Sequence, residues 1–222
     1  MDYEIRAISP HEWLPDRCMP AGEPLDPLML EPEAGCESLA QHCEKFVPGS
    51  RGFLEGLYRD VLTRFGCCGF VAWCEGKIVG YNNFFPREIA SDIRFYGWGT
   101  EKDVVLKTLV HNCISILRND SFRRKGIGTN LLLNSLRWAK SEGWKRMEVH
   151  LVLPNIAKGF ANEQKSGQAF WEKLGFRAVK TDLDPAFEKE GPLVQKAKEQ
   201  AQAQGLDPDV VKNRYTMRME LA

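Results

Sequence analysis

The stretch from residue 104 to residue 153 constrains the fold most, because two β-rich runs flank a glycine turn and an amphipathic helix. The run VVLKTLVHNCISIL (104–117) is β-branched and nearly uncharged, which is typical of a central strand. SFRRKGIGTNLLLNSL (121–136) has two glycines one residue apart, followed by apolar residues at helical spacing. KRMEVHLVL then predicts a strand that stops at Pro154. This strand, helix and strand predict a mixed α/β layer fold.

The remaining sequence predicts further strands and helices around this unit. YEIRAIS alternates apolar and polar residues, as a strand does, and SRGFLEGLYRDVLTRFG has helical spacing with a terminal glycine. CGFVAWCEGKIVGYNNFF predicts a hairpin around Glu75-Gly76-Lys77. GQAFWEKLGFRAV predicts a short helix, a stop at Gly175 and a strand, and the tail predicts a helix and a last strand. No linker is visible, so we expect one domain over residues 1–222.

The overall charge excludes some classes of partner. Thirty basic residues balance 30 acidic ones, so nothing draws the whole protein to nucleic acid or anionic lipid, and any anion site must be local. No run has the length of a membrane span, and the polar N-terminal stretch MDYEIRAISPHEWLPD is unlike a signal peptide. We therefore expect a cytoplasmic protein that binds neither nucleic acid nor membrane.

The cysteines indicate buried thiols rather than disulfides or a metal site. Their number is odd and their spacing irregular, which argues against a disulfide framework. No paired CxxC motif or histidine at zinc-like spacing accompanies them, so we expect no metal. The seven residues are Cys18, Cys36, Cys43, Cys67, Cys68, Cys74 and Cys113.

The glycine turn has two interpretations. Backbone N–H groups at a helix start bind anions, and glycines allow a phosphate to approach the backbone closely. Alternatively, the cations are a solvated basic run and the glycines serve only the turn. The P-loop pattern GxxxxGK[ST] is absent, and a dinucleotide fingerprint would need a third glycine where Leu131 stands. The phosphate interpretation assigns binding to Arg123, Arg124, Lys125, Gly126, Ile127, Gly128 and Thr129.

The spacing Arg123-x-x-Gly126-x-Gly128 resembles the acyl-CoA-binding motif of GNAT-type N-acetyltransferases, commonly written [QR]xxGx[GA]. The resemblance covers residues 104–178, since a strand precedes the motif and an amphipathic helix and a strand follow it. SGQAFWEKLGF is similar to the family signature AxxFYEKLGF. The first hundred residues fit the family only in their pattern of strand, helix and hairpin.

The resemblance implies a mostly antiparallel central sheet with helices on both faces and two splayed central strands. Backbone groups of Ser115, Ile116 and Leu117 would pair with the pantetheine of acetyl-CoA, and the glycine turn would wrap its pyrophosphate. A backbone N–H of the same strand would polarise the thioester carbonyl. The implied acceptor is a small-molecule or peptide amine, and a homodimer is compatible with this assignment.

The signature departs from the family where an acid would be expected. The tyrosine that commonly protonates the leaving thiolate falls at Trp171, and an indole N–H is too weak an acid for that role. Trp171 would then pack on pantetheine or on the core. The family's frequent asparagine falls at Gln164 and the small residue after it at Gly167, although Asn155 or Asn162 of the loop could replace that asparagine.

The candidate base is His111. Some relatives carry a glutamate on the strand before the glycine motif, but no carboxylate occurs between residues 104 and 117. With one extra residue in the following loop, His111 falls at that position, and an unperturbed pKa near 6.5 suits a base. A buried, hydrogen-bonded histidine is the alternative, and His150 and Glu101 are weaker candidates. Simple alternation would place on one face Leu109, His111, Cys113, Ser115 and Leu117.

A second function remains open. The missing tyrosine and glutamate would also fit a CoA-binding or sensing module without catalysis. Acceptor contacts in such folds come from the early helices and loops, here residues 20–65 and 86–103, where no motif identifies the amine. Five aromatic residues there or nearby could line a pocket or belong to the core, namely Phe84, Phe85, Phe95, Tyr96 and Trp98.

Overall fold

The computed structural model describes residues 2–9, 50–90, 107–116, 122, 124–152, 167–183 and 192–221. The chain divides into two compact units, Met1–Lys145 and Arg146–Ala222. The single domain expected over residues 1–222 remains a prediction.

The first unit contains four strands and three helices in its described part. The strands pair in the order β1-β2-β3-β4, and each pair is antiparallel. The elements are β1 (Glu4–Ala7), α1 (Ser50–Phe65), β2 (Gly69–Cys74), β3 (Lys77–Pro86), α2 (Arg87–Ala90), β4 (Thr108–Ile116) and α3 (Ile127–Ser141).

Residues in the left-handed region end α1 and turn the chain between β2 and β3. Gly66, directly after α1, has a φ of 77°. Glu75 and Gly76 have φ values of 50° and 76°, as the two central residues of a type I′ hairpin turn require. The hairpin predicted around these residues is confirmed.

Strands β2, β3 and β4 are covered on both faces, whereas the edge strand β1 is mostly exposed. On one face, α1 packs on a cluster that includes Val71, Phe85 and Val110, each no more than 1% exposed. On the other face, α3 packs on β2, β3 and β4, and Trp138 stacks on Phe84 with ring centroids 5.1 Å apart. Phe84 and Phe85 are therefore core residues, whereas residues 95–98 lie outside the described ranges.

The second unit contains three antiparallel strands in the order β5-β7-β6. Its strand β6 is exposed along its whole length, and among the described strands only β7 pairs with it. Gly175, with a φ of 92°, ends the short helix before β6. The elements are β5 (Arg146–Val152), α4 (Gln168–Lys173), β6 (Arg177–Leu183), α5 (Pro192–Ala203), a 3-10 helix (Pro208–Lys212) and β7 (Asn213–Glu220).

The α/β class and the mostly antiparallel pairing predicted from the sequence are confirmed. The short helix α2 and the 3-10 helix were not predicted. Cys67, Cys68 and Cys74 are buried, as expected, and Cys113 is half-buried, whereas Cys18, Cys36 and Cys43 lie outside the described residues. Among the described residues, no helix combines the length and apolar character needed to cross a membrane, and no cluster of three metal-binding side chains occurs.

Candidate functional site

The glycine turn forms an open cradle at the start of α3. Gly126 caps the helix with φ 79° and ψ 0°, and no side chain bonds to the cap. The first intrahelical bond runs from the Asn130 N–H to the Gly126 carbonyl, so the three preceding N–H groups have no partner within the helix. A Cβ built on Gly126 meets no atom within 4 Å. The turn therefore presents backbone donors to open space.

Cationic residues lie directly before Gly126 at this cradle. Arg124 and Lys125 are exposed, and Arg124 has a φ of 56°, so the backbone is left-handed on both sides of Lys125. Arg123 lies outside the described residues. Together with the dipole of α3, these charges make the turn attractive to an anion such as a phosphate.

Gly128 has a different role from Gly126, because it lies in the first turn of α3 with a φ that any residue can adopt. A Cβ built on it would approach Ile114 Cδ1 of β4 to 3.4 Å, which is a tight but tolerable contact. Ile127, between the two glycines, is buried and anchors the helix start, whereas Thr129 is half-buried. The turn and β4 therefore pack directly on each other.

Strand β4 carries a bulge that the sequence pattern did not indicate. Asn83 pairs with Cys113, but Phe84, the next residue of β3, pairs with His111. Asn112 is therefore an extra residue on β4, and His111 and Cys113 point to opposite faces of the sheet. The common face predicted for His111 and Cys113 is wrong for this reason. Ser115 and Ile116 continue the ladder with β3, whereas Leu117 lies outside the described residues.

His111 is in the core. Its cross-strand partner Phe84 stacks on Trp138, so His111 lies on the α3 face of the sheet, where it is 2% exposed. Burial lowers the pKa of His111 from 6.5 to about 3, and a backbone hydrogen bond offsets this only in part. A base this weak holds a proton poorly, so the position favours the buried-histidine alternative.

Trp171 is also a core residue. It is 2% exposed, and its ring makes edge contacts to Phe170 and Phe176 with centroids 5.3 and 5.1 Å away. Gly167 caps α4 with an extended backbone. The other signature candidates, Gln164, Asn155 and Asn162, lie outside the described residues, as does Glu101.

The sequence indicated His150 only as a weaker base candidate and did not indicate the polar cluster that it joins on β5 and β7. Glu148 is fully buried, and its carboxylate accepts a hydrogen bond of 2.7 Å from Arg218 Nε. His150 Nε2 lies 3.4 Å from the other carboxylate oxygen, and His150 Nδ1 lies 3.4 Å from the Thr216 hydroxyl. The signal was the Glu-x-His spacing in RMEVHLVL, which puts both side chains on one strand face.

A cavity of about 330 Å³ lies at the start of β4. Because β4 has nine residues, the cavity is roughly 25–30 Å along the strand from the end that leads to the glycine turn. Its lining carries both signs of charge and two aromatic rings, and so favours no single ligand class. The lining residues are Arg64, Phe65, Pro86, Arg87, Glu88, Lys107, Thr108, Glu142 and Trp144.

Comparison with known proteins gives a family match. The sequence model of the acetyltransferase (GNAT) family matches residues 36–176. An acetyltransferase of the GNAT family from Streptococcus pneumoniae has a similar structure, with 15% identity, full coverage of both chains and a TM-score of 0.54. An N-acetyltransferase from Staphylococcus aureus Mu50 has 14% identity, full coverage of both chains and a TM-score of 0.51. No curated protein matches the chain.

Proposed function

Because the chain belongs to the acetyltransferase (GNAT) family of acyltransferases, we propose that it transfers an acetyl group from acetyl-CoA to an amine of a small molecule or peptide. The amine nitrogen attacks the thioester carbonyl carbon, and the carbon–sulfur bond breaks as CoA leaves. One proton leaves the amine and one reaches the thiolate. The observation that carries this proposal is the open, cationic turn at the start of α3, directly after β4 in the fold.

The turn would bind the pyrophosphate of acetyl-CoA. Gly126 leaves space for the phosphate oxygens, and the first N–H groups of α3 would donate to them. Arg124 and Lys125 are exposed and would neutralise the phosphate charge, together with Arg123. Thr129 would add a hydroxyl donor. The same turn would therefore fix the end of the cofactor that does not react.

The edge of β4 that faces away from β3 would bind the reactive end. The N–H groups of a strand point alternately to its two edges. Cys113 N–H points to β3, where it donates to the Asn83 side chain, so the N–H of Ile114 points to the other edge. It would polarise the thioester carbonyl, and the backbone groups of Ile116 on the same edge would pair with pantetheine. By the same alternation, the backbone groups of Ser115 point to β3, and Leu117 lies outside the described residues.

Two histidines are candidates for the base. His111 was the candidate from the sequence, but its burial and its pKa of about 3 count against proton transfer from an ammonium group. His150, on β5, is the other candidate from the sequence: its Nε2 lies 3.4 Å from a Glu148 carboxylate oxygen and its Nδ1 lies 3.4 Å from the Thr216 hydroxyl. His150 is also partly accessible, with 10% of its side chain exposed.

The burial of Trp171 and of His111 favours one alternative, a CoA-binding module without turnover. Trp171 packs among aromatic rings and offers no acid, so the leaving thiolate would take its proton from water or from another group.

The two functions are separated by one experiment. The purified protein is incubated with acetyl-CoA and a panel of primary amines and peptide N-termini, and release of the CoA thiol is followed with a thiol reagent. We expect steady release with at least one amine and an acetylated product of the matching mass. Micromolar CoA binding by calorimetry, with no release on the whole panel, would instead establish the binding module.

A further inference from the structure

The bulge on β4 is held by one buried side chain of β3. Asn83 is 0% exposed, and its Oδ1 accepts hydrogen bonds from the backbone N–H of Cys113 at 2.8 Å and from Asn112 Nδ2 at 3.1 Å. Its Nδ2 donates to the Tyr58 hydroxyl on α1. A single amide therefore binds both residues of the bulge and a helix on the same face.

The hydrogen bonds of Asn83 fix the direction of the Cys113 N–H as well as its distance from β3. A bulge interrupts the backbone ladder, so the local twist of the strand is not set by backbone pairing alone. Here the side-chain oxygen of Asn83 accepts a hydrogen bond from the Cys113 N–H and so directs this N–H toward β3. Because N–H groups alternate along a strand, this also sets where the next N–H, that of Ile114, points on the opposite edge.

We propose that Asn83 is a positioning residue for acetyl transfer: by holding the Asn112–Cys113 bulge, it aims the Ile114 N–H at the thioester carbonyl oxygen. This inference rests on the proposed binding of acetyl-CoA along β4, but it does not require any particular acceptor. A donor that polarises a carbonyl must be fixed before the reaction, and loss of one such donor costs about a hundredfold or more in rate. Asn83 thereby acts through β4 and does not touch the substrate.

The neighbouring Asn82 provides a matched control. It has the same side chain, lies on the same strand and is also 0% exposed. Its amide makes bonds of similar quality, accepting from Phe70 N at 3.1 Å and donating to the Ser135 hydroxyl at 2.7 Å. However, these bonds join β3 to β2 and α3, not to the bulge. Alanine at either position removes a buried amide, and only alanine at Asn83 releases β4.

The test measures the bound thioester directly. Acetyl-CoA labelled with carbon-13 at the carbonyl is bound to the wild type, Asn82→Ala, Asn83→Ala and Asn83→Asp, and the carbonyl stretch is read by isotope-edited infrared difference spectroscopy. We expect a shift to lower frequency in the wild type and in Asn82→Ala, and loss of this shift in Asn83→Ala. Asn83→Asp should retain it, because a carboxylate accepts from Cys113 N–H and Asn112, and the Tyr58 hydroxyl can donate to it.

A shift that persists in Asn83→Ala would overturn the inference, as would equal loss in Asn82→Ala. A wild type that binds acetyl-CoA without any shift would overturn it as well. In contrast, a wild type that does not bind acetyl-CoA would refute the proposed function itself, so the two failures are distinguishable.

If Asn83→Ala does not fold, Asn112→Ala replaces it, since this half-buried residue supplies one of the two donors to Asn83 Oδ1. Partial loss of the infrared shift supports the inference, and an unchanged shift contradicts it. Where an amine substrate has been found, kcat of the alanine variant at Asn83 should fall about a hundredfold below that of Asn82→Ala, measured well below both melting temperatures.

Discussion

Arg218 Nε lies 2.7 Å from Glu148 Oε1, across the paired strands β7 and β5. The carboxylate is fully buried, whereas the arginine side chain is 30% exposed. The guanidinium therefore compensates a charge that has lost its contact with bulk water. Such pairs contribute little compared with an apolar pair, but removing one partner leaves a buried charge uncompensated.

We predict that Arg218→Met lowers the free energy of unfolding by about 3–5 kcal/mol, because Glu148 would lose its cationic partner. The control is Glu220→Gln on the same two strands. Glu220 pairs with Arg146 at 3.5 Å and is 58% exposed, so this change should cost less than about 1 kcal/mol. Urea unfolding followed by circular dichroism measures both. Equal losses would contradict the assigned role of the buried carboxylate.

We predict opposite effects of Gly128→Ala on stability and on binding. Gly128 lies in helix α3 without a positive φ, so alanine should keep or raise the free energy of unfolding. The gain is at most about 1 kcal/mol, the difference in helix propensity between alanine and glycine. CoA affinity should fall at least tenfold, because the added methyl group contacts Ile114 of β4 and shifts the first turn of α3, whose N–H groups would bind the phosphate. Calorimetric titration with CoA and thermal unfolding are measured on the same sample.

The companion change, Gly126→Val, should abolish CoA binding and also cost about 1–2 kcal/mol, because valine is strained at a φ of 79°. Unchanged affinity in a folded Gly126→Val protein would exclude the turn as the phosphate site.

His111 should make the protein sensitive to acid. Burial lowers its pKa from 6.5 in the unfolded chain to about 3 in the folded one, so the unfolded state takes up a proton first as pH falls. Stability from this residue is complete above pH 6.5, declines by about 1.4 kcal/mol per pH unit below it, and levels off near pH 3. Between pH 7.5 and pH 5, the decline from His111 is about 2 kcal/mol. His111→Gln should lose this part of the pH dependence in urea unfolding at the two pH values. A variant as acid-sensitive as the wild type would contradict the burial effect.

The identity of the base is tested by comparing His150→Gln with His111→Gln. We predict that the change at His150 lowers kcat about a hundredfold or more near neutral pH. The affinity for acetyl-CoA should change little, because pantetheine pairs with backbone groups. The converse result, in which only His111→Gln loses turnover while stability and CoA affinity persist, would assign the base to His111.

Cys67 should resist alkylation. Burial raises its pKa from 9.0 to about 11, Glu142 adds to the rise, and the bond from its thiol to the Gly69 carbonyl offsets only part of it. At pH 8 the thiolate fraction is about a hundredfold smaller than for a thiol with a pKa of 9, and the thiolate is the reactive form. Modification by iodoacetamide should therefore be at least a hundredfold slower in the native protein than in urea, measured by peptide mass spectrometry. Similar rates in both states would contradict the burial of this thiol.

Elements governed by local rules were predictable from the sequence. The β2–β3 hairpin follows from Glu75-Gly76, since glycine and a short loop favour the left-handed turn, and α1 ends where Gly66 permits it. The helix start at Gly126 is local in the same sense, because the anion cradle needs only a glycine turn before an amphipathic helix.

The bulge at Asn112 was not predictable from the β4 run, which reads as an uninterrupted strand. Its partner, Asn83, lies 30 residues from Cys113 in the sequence, and no pattern within either strand indicates that pairing. One extra residue reverses the alternation of faces along a strand. The residues before Asn112 therefore lie on the opposite face from the one expected relative to the residues after it. His111 was therefore expected beside Cys113 and lies on the opposite face.

Strand β6 leaves one edge of its sheet open among the described strands, and an open edge can recruit a strand from another molecule. Val179 and Leu183 are 47% and 69% exposed and would favour such recruitment. However, Val179 is the extra residue of a bulge against β7, and the Lys180–Asp182 ion pair places charge on the same strand. These features oppose the addition of a further strand at the free edge of β6.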